Sequence, residues 1–507
     1  MRIARSPIAF MLVLSAFIVF SNYYSSFSYA AIDDTRKEQW IGMYLNGKKM
    51  GWTSISTAPA IFRGQNYSKI TTHSVTKMVM FGQTVSQDTE TITYADSSNH
   101  PKFQEHRIRS KGSLMELQAE YKPDKILISF HAGGTASSRE VAIPAGAKLI
   151  GDSTYTGEGG SHEIGKSESY YYLNPLTIAL EKTDIVTETS DKVKVRGIEL
   201  SLFRVKSTSS MGAMRTWETP KGELVKAEMT LGPASIAMYQ ESKESAQNLD
   251  SNPPKFEIAG APAPGTYVPP DDFALATAVA VNRTIVNPRN ITKLRAIISG
   301  VTDPTQVISD DLQKATPILD RPGYYAYEVI SAKPKTDKTI MLPITDSAVK
   351  SQLTSIPYLE GTDSDLISQT KRIVGNEKGA AIVVQKIRSW VFQNMTPDYT
   401  IGVPRSSGEI FHKRRGVCRD YATLFAGMAR VAGIPTRLAG GIVYGEGKFF
   451  YHAWAECWIG EWIPVDPTLN LDVVDATHLK FAQGDVTDMY RVATVVGRLK
   501  IEILETQ

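Results

Sequence analysis

From Ala31 to about Ser242 the chain is a series of short β-prone runs, many of them separated by glycine or by Asp/Asn-containing turns. Trp40 to Thr57 reads as a hairpin with Asn46-Gly47 at its turn, because both residues tolerate the positive φ of a type I′ turn. Lys69 to Met80, Thr84 to Tyr94, Phe103 to Arg109, Leu114 to Tyr121, Lys125 to His131 and Val141 to Ile143 follow. Val193 to Val205 and Glu223 to Tyr239 continue in the same style. The pattern predicts a large antiparallel meander, curved or half-closed, over residues 31–242.

Residues 243–270 read as an extended spacer, since six prolines lie among Ser, Asn, Ala and Gly. A smaller β-rich region is expected over 271–357, with Thr292 to Ile298, Tyr324 to Ser331 and Thr339 to Ile344 as its clearest strands. The periodicity changes after Gly361. Leu366, Ile367, Ile373 and Val374 have helical spacing, with Gly375 closing that helix. Val383, Ile387, Trp390 and Val391 form a second apolar stripe. Ser406 and Glu409 fit a capping box, and a further helix starts near Cys418 and stops at Gly433 and Pro435. Strand-like runs then cover Thr436 to Tyr444, Phe449 to Ile459 and Glu461 to Val465. Helices followed by strands make residues 358–507 an α+β domain.

Composition adds little to this division into parts. The 507 residues suffice for several domains, and 42% hydrophobic residues leave core burial unrestricted. The formal charge of +3 falls to +1 if Arg2 and Arg5 are removed, so nothing suggests a nucleic-acid partner. Those arginines precede the uncharged apolar run Ile8 to Phe20, and Ser28-Tyr29-Ala30 offers small residues for cleavage. Residues 1–30 are therefore expected to be a cleaved signal peptide, with a secreted or periplasmic mature protein. No later segment is apolar enough to span a bilayer.

The chemistry concentrates around Arg415-Gly416-Val417-Cys418-Arg419-Asp420-Tyr421-Ala422. A cysteine at a helix start meets unpaired N–H groups and the positive dipole end, and such settings favour thiolate. Gly416 is expected to let substrate approach the backbone closely. Tyr451-His452-Ala453-Trp454-Ala455-Glu456 follows on a strand, where alternation places His452, Trp454 and Glu456 on one face. A third run, Trp462-Ile463-Pro464-Val465-Asp466, ends in a carboxylate. Cys418, His452 and Asp466 thus supply a nucleophile, a base and an orienting group in chain order.

The segments GVCRDYA, GIPTRLAGG, HAWAE and WIPVDPT resemble the core signature of the transglutaminase-like superfamily, over about Leu366 to Asn470. The resemblance implies a papain-like architecture, with Cys418 as nucleophile, His452 as general base and acid, and Asp466 as orienting carboxylate. It also implies attack of thiolate on a carboxamide or peptide carbonyl, a thioester, and release by water or an amine. Neither a cofactor nor a metal is expected. The backbone N–H of Cys418 is one expected oxyanion donor, and Tyr399 and Trp390 are candidates for the second.

Other residues carry plainer expectations. His73, His100, His106, His131 and His162 lack metal-ligand spacing, and His412 and Lys413-Arg414-Arg415 read as solvent-facing. Glu456 is expected to pair with Arg437 or Arg419. Cys457, five residues from His452, should face the opposite side of the strand as a buried thiol, not a disulfide partner. Asn66, Asn282, Asn290 and Asn394 sit in glycosylation sequons. The leading expectation is an exported enzyme acting on the amide bonds of a protein or peptide. Against it stands a non-catalytic binding or envelope-assembly protein that uses the last domain as scaffold and the long sheet as its working part.

Overall fold

The computed structural model describes residues 37–132, 135–151, 162–210, 212–259, 270–333, 340–354, 356–359 and 361–507. The signal segment read at 1–30, residues 260–269 of the Pro-rich stretch and the start of the run at Thr339 lie outside these. The chain divides into two compact units, one spanning most of 37–276 and the other holding 277–507.

The first unit is built on one 15-stranded, largely antiparallel sheet. Eight strands, from Lys37–Leu45 to Thr135–Ala142, lie side by side in chain order. Five more, from Ala179–Val195 to Ala234–Glu241, do the same, and the last of them pairs with Lys37–Leu45. Many of these strands bury alternate residues. In Gln65–Met80, Ile70, Thr72, Ser74, Thr76, Met78 and Met80 are buried and their neighbours are not. One face packs inward and the other meets water, as the period of two requires.

Positive-φ pairs set the turns. Asn46-Gly47 has φ of 51° and 81°, as the hairpin reading expects. The run read as Val193 to Val205 is divided by Arg196-Gly197, at φ of 51° and 87°, so Ala179–Val195 ends there and Ile198–Ser209 begins. Arginine gives no turn signal, which is why the run looks continuous in sequence. Glu223 to Tyr239 is likewise divided, at Gly232. Within the Pro-rich stretch, Ser242 caps a short helix, Lys243–Gln247, and Phe256–Ile258 adds a strand beside Ala179–Val195.

The second unit contains two four-stranded sheets. In one, Gln313–Pro317, Tyr324–Ile330, Lys293–Ser299 and Lys500–Thr506 lie in that order, so the end of the chain pairs with a strand read some 200 residues earlier. Thr339 to Ile344 is not a strand over its described residues. Leu342 N–H donates to Lys378 O, and Ile340 O accepts the Ala380 N–H, so this segment docks on the start of a helix.

Helices Ser364–Val374, Ala380–Asn394, Ser407–Lys413 and Cys418–Val431 precede the other sheet. Its order is Trp462–Val465, Lys448–Trp458, Thr436–Gly445, Leu479–Gly484. Residues 418–430 of the last helix are all buried, and it packs on the two central strands. Leu424, Phe425 and Met428 are fully buried there, each worth roughly 2 kcal/mol of apolar transfer. The strands beneath lose their alternation because both faces are covered, and Phe449 through Cys457 are buried without a break. Gly433, at φ 84°, ends the helix. Among the described residues no helix is long and apolar enough to cross a membrane.

Candidate active site

Cys418 is the first residue of its helix and is buried. Val417 before it is extended, and its N–H donates to Asp420 Oδ2 at 2.9 Å. The buried Asp420 carboxylate is also met by Arg405 at 3.1 Å and Arg419 at 3.4 Å. Gly416 makes room for that cap: a Cβ there would lie 2.4 Å from Asp420 Oδ2. The close neighbour that demands glycine is thus Asp420, where the sequence pointed to substrate.

His452 lies on Lys448–Trp458 opposite Gly441, with no exposed side-chain surface. Gly441 permits the close approach of the neighbouring strand, since a Cβ would fall 1.9 Å from Leu479 O. His452 Nε2 is 2.8 Å from Asp466 Oδ2. The other oxygen of Asp466 accepts the backbone N–H groups of Thr468 at 2.7 Å and Leu469 at 3.1 Å. With Nε2 engaged, Nδ1 is the ring nitrogen left for other chemistry, and the Cys418 sulfur acts electrostatically on the same imidazole. Burial by itself would lower the pKa of His452. Asp466 first, and then Cys418, outweigh it and hold the ring above the ordinary imidazole range. Burial opposes ionisation of Asp466 as well, but His452 and then His478 keep it far below the usual carboxylate range.

The two oxyanion candidates separate. Trp390 stacks on Phe411 at 5.9 Å with the Arg414 guanidinium 5.1 Å from its ring, so its aromatic surface is engaged there. Tyr399 lies in the field of Cys418; burial pushes its hydroxyl up to about 12, and the Cys418 charge adds to this. Trp454 packs against the site, nearly parallel to His452 at 6.3 Å, with its indole N–H buried and lacking a hydrogen-bond partner. Glu456 pairs with Arg437 at 2.7 Å and with Lys480 at 2.5 Å, while Arg419 turns to Asp420, Tyr490 and the Val403 carbonyl. His412 is half exposed and pairs with Asp363 at 2.9 Å, and residues 413–415 are exposed. Cys457 is a free buried thiol 3.5 Å from Thr436 Oγ1, and burial pushes it up to about 12.

Sequence reading missed His478. Its Nε2 is 3.4 Å from the same Asp466 oxygen that holds His452, and its Nδ1 faces Asp475. The available signal was Asp475-x-x-His478 directly before the strand Leu479–Gly484, which the sequence reading also omitted. His452, Asp466 and His478 are as closely spaced as a set of metal ligands, with atoms within 4.8 Å of one another. The Nε2 atoms of both histidines already engage the same Asp466 oxygen.

Residues 367–467 match the model of the transglutaminase-like superfamily. A stretch of 132 residues is 33% identical to an uncharacterized protein of Mycobacterium leprae, covering 24% of this chain and 46% of that one. A stretch of 90 residues is 36% identical to a protein-glutamine gamma-glutamyltransferase of Pseudomonas aeruginosa, covering 14% of each chain. The chain therefore spans less than half the length of either relative. A solved structure of a proposed cysteine protease from Cytophaga hutchinsonii is similar at 18% identity and a TM-score of 0.30, over 43% of this chain and 86% of that one. The C-terminal part of the chain thus carries a transglutaminase-like domain, matched over residues 367–467.

Proposed function

We propose that the protein is an exported, thiol-dependent acyl-transfer enzyme that acts on amide bonds of a protein or peptide through Cys418, His452 and Asp466. One observation carries the reading: His452 Nε2 is fixed to Asp466 at 2.8 Å, which leaves Nδ1 to serve a sulfur that already acts on the ring. His452 Nδ1 holds the proton taken from the Cys418 thiol, and Cys418 Sγ attacks the carbonyl carbon as thiolate. The same proton goes to the departing nitrogen, and a thioester remains on Cys418. Water, or a second amine, then attacks the thioester and frees Sγ. The Cys418 N–H and the Tyr399 hydroxyl serve the developing oxyanion.

Export rests on the apolar run Ile8 to Phe20 and its basic flank, and places the substrate in the cell envelope or beyond it. The name of the Pseudomonas relative favours a glutamine side chain as the acyl donor. Trapping tests the reading. Full-length protein is incubated with an extract of the host envelope, and adducts on Cys418 are identified by mass spectrometry. A thioester-linked acyl group, lost in Cys418→Ala, is the expected result. Full biological activity in Cys418→Ala would overturn it in favour of a binding protein. Ammonia release alone, joining of an added amine, or new N-termini then distinguish deamidation, transamidation and hydrolysis.

A further inference from the structure

Asp466 carries more partners than a two-group arrangement with His452 requires. Its Oδ1 takes two backbone N–H groups, and its Oδ2 is shared between His452 at 2.8 Å and His478 at 3.4 Å. The side chains of all three groups have no exposed surface, so no bulk water competes for these bonds. His478 is itself held. Its Nδ1 lies 3.2 Å from the Asp475 carbonyl oxygen and 3.4 Å from the Asp475 carboxylate. Both ring nitrogens therefore face oxygen atoms, Nε2 the Asp466 carboxylate and Nδ1 Asp475. Asp475 is anchored by Arg289 at 2.7 Å and by the Thr477 N–H at 2.9 Å. Trp454 packs edge-on against His478 at 5.3 Å while lying nearly parallel to His452, which restricts both rings.

We infer that His478 is a positioning residue for the proposed reaction: it grips the oxygen of Asp466 that orients His452, and is braced from behind by Asp475 and Arg289. The inference rests on the acyl-transfer reading above and extends it. Two backbone donors hold one carboxylate oxygen but leave the plane free to rock about it. A donor on the second oxygen removes that freedom and fixes the direction from which His452 Nε2 is held. His452 Nδ1 is then aimed at Cys418 by a chain of contacts reaching Arg289. This is an orienting role exerted through Asp466, and His478 needs no contact with substrate.

The test uses the full chain and the rate of Cys418 alkylation by iodoacetamide, which requires no substrate. His478→Phe is expected to lower that rate about tenfold, the worth of one hydrogen bond to a charged group. His478→Gln, whose amide can still donate to Asp466, is expected to stay within about twofold of wild type. If phenylalanine is not accommodated, the same comparison is read on His478→Ala against His478→Gln. A merely structural histidine would lose rate equally in both substitutions, and that result overturns the inference. Wild-type rates in every His478 variant, with a slow His452→Ala, also overturn it but leave the triad reading standing. Wild-type rate in His452→Ala as well defeats the triad reading and the inference with it.

Discussion

His106 and His452 are both buried histidines on β-strands, yet their surroundings drive them in opposite directions. His106 lies on the inward face of the long sheet, where Thr91 Oγ1 meets its Nδ1 at 3.1 Å and its Nε2 lacks a partner. Burial alone then pushes it down to about 4, so it is neutral at ordinary pH. His452 is equally buried, but a carboxylate at 2.8 Å and a nearby sulfur reverse the burial effect. The inward face of the long sheet carries buried Thr, Ser and Gln side chains, of which Thr91 meets one nitrogen of the ring. The small sheet is covered on both faces, and its buried charges come in partnered sets: Asp466 with two histidines, and Glu456 with Arg437 and Lys480. Burial by itself makes a histidine inert; burial with a fixed counter-charge makes it a base held in one orientation.

The sharpest way to break this contrast is at the two cysteines, both buried in the second unit. Near neutral pH iodoacetamide should label Cys418 on the order of 10³-fold faster than Cys457, read by peptide mass spectrometry, because the Cys457 thiol is pushed up to about 12 with no counter-charge to relieve it. Comparable labelling would remove the distinction. Next, Asp466→Asn should reduce acyl transfer by roughly 10³-fold while leaving the fold intact, because an amide favours the wrong imidazole tautomer. Thr91→Val beside His106 should leave the same activity unchanged, and an equal loss from both would refute the comparison.

The pH response separates the two histidines further. The folded pKa of His106, about 4, lies below the ~6.5 of an unfolded chain. Its contribution to stability is therefore complete above pH ~6.5 and is lost as pH falls through 4, on the order of 3 kcal/mol. Thermal melts of the wild type between pH 7 and 4 should show this loss, and His106→Gln should flatten it. The raised pKa of His452 acts the other way: its contribution is complete below ~6.5 and is lost as pH rises through the folded value. Melting of the second unit should therefore weaken on the alkaline side, and less so in Asp466→Asn. The smallest effects concern glycine. Gly416→Ala should cost about 2 kcal/mol in denaturant unfolding, since its Cβ collides with the Asp420 cap. Gly47→Ala, at φ 81° with open space around it, should cost about 1 kcal/mol.

Legibility in the sequence followed how local each signal is. Helix Cys418–Val431 was readable because its apolar face and its Gly433 and Pro435 stop are encoded within one stretch. Most strands before residue 142 were readable because β-prone runs are separated by local turn residues such as Asn46-Gly47. Ser167–Asn174 and Gln313–Pro317 were not, although each pairs with the next strand along the chain, and Leu479–Gly484 was not because it gains its place beside the more distant Thr436–Gly445. His478 escaped notice for the same reason. No short motif marks a side chain whose role is to hold another residue's carboxylate.

Residue order alone determined which chemical types were available at the site: a thiol at a helix start, an imidazole on a strand and a carboxylate at a strand end. These follow from short-range pattern, because periodicity and capping act over a few residues. Tertiary structure decided what each group meets. It set which oxygen of Asp466 faces which ring, why Gly441 must lack a side chain, and which of two buried histidines is given a counter-charge. Those outcomes depend on contacts between distant segments, whose distances and burial no local pattern carries.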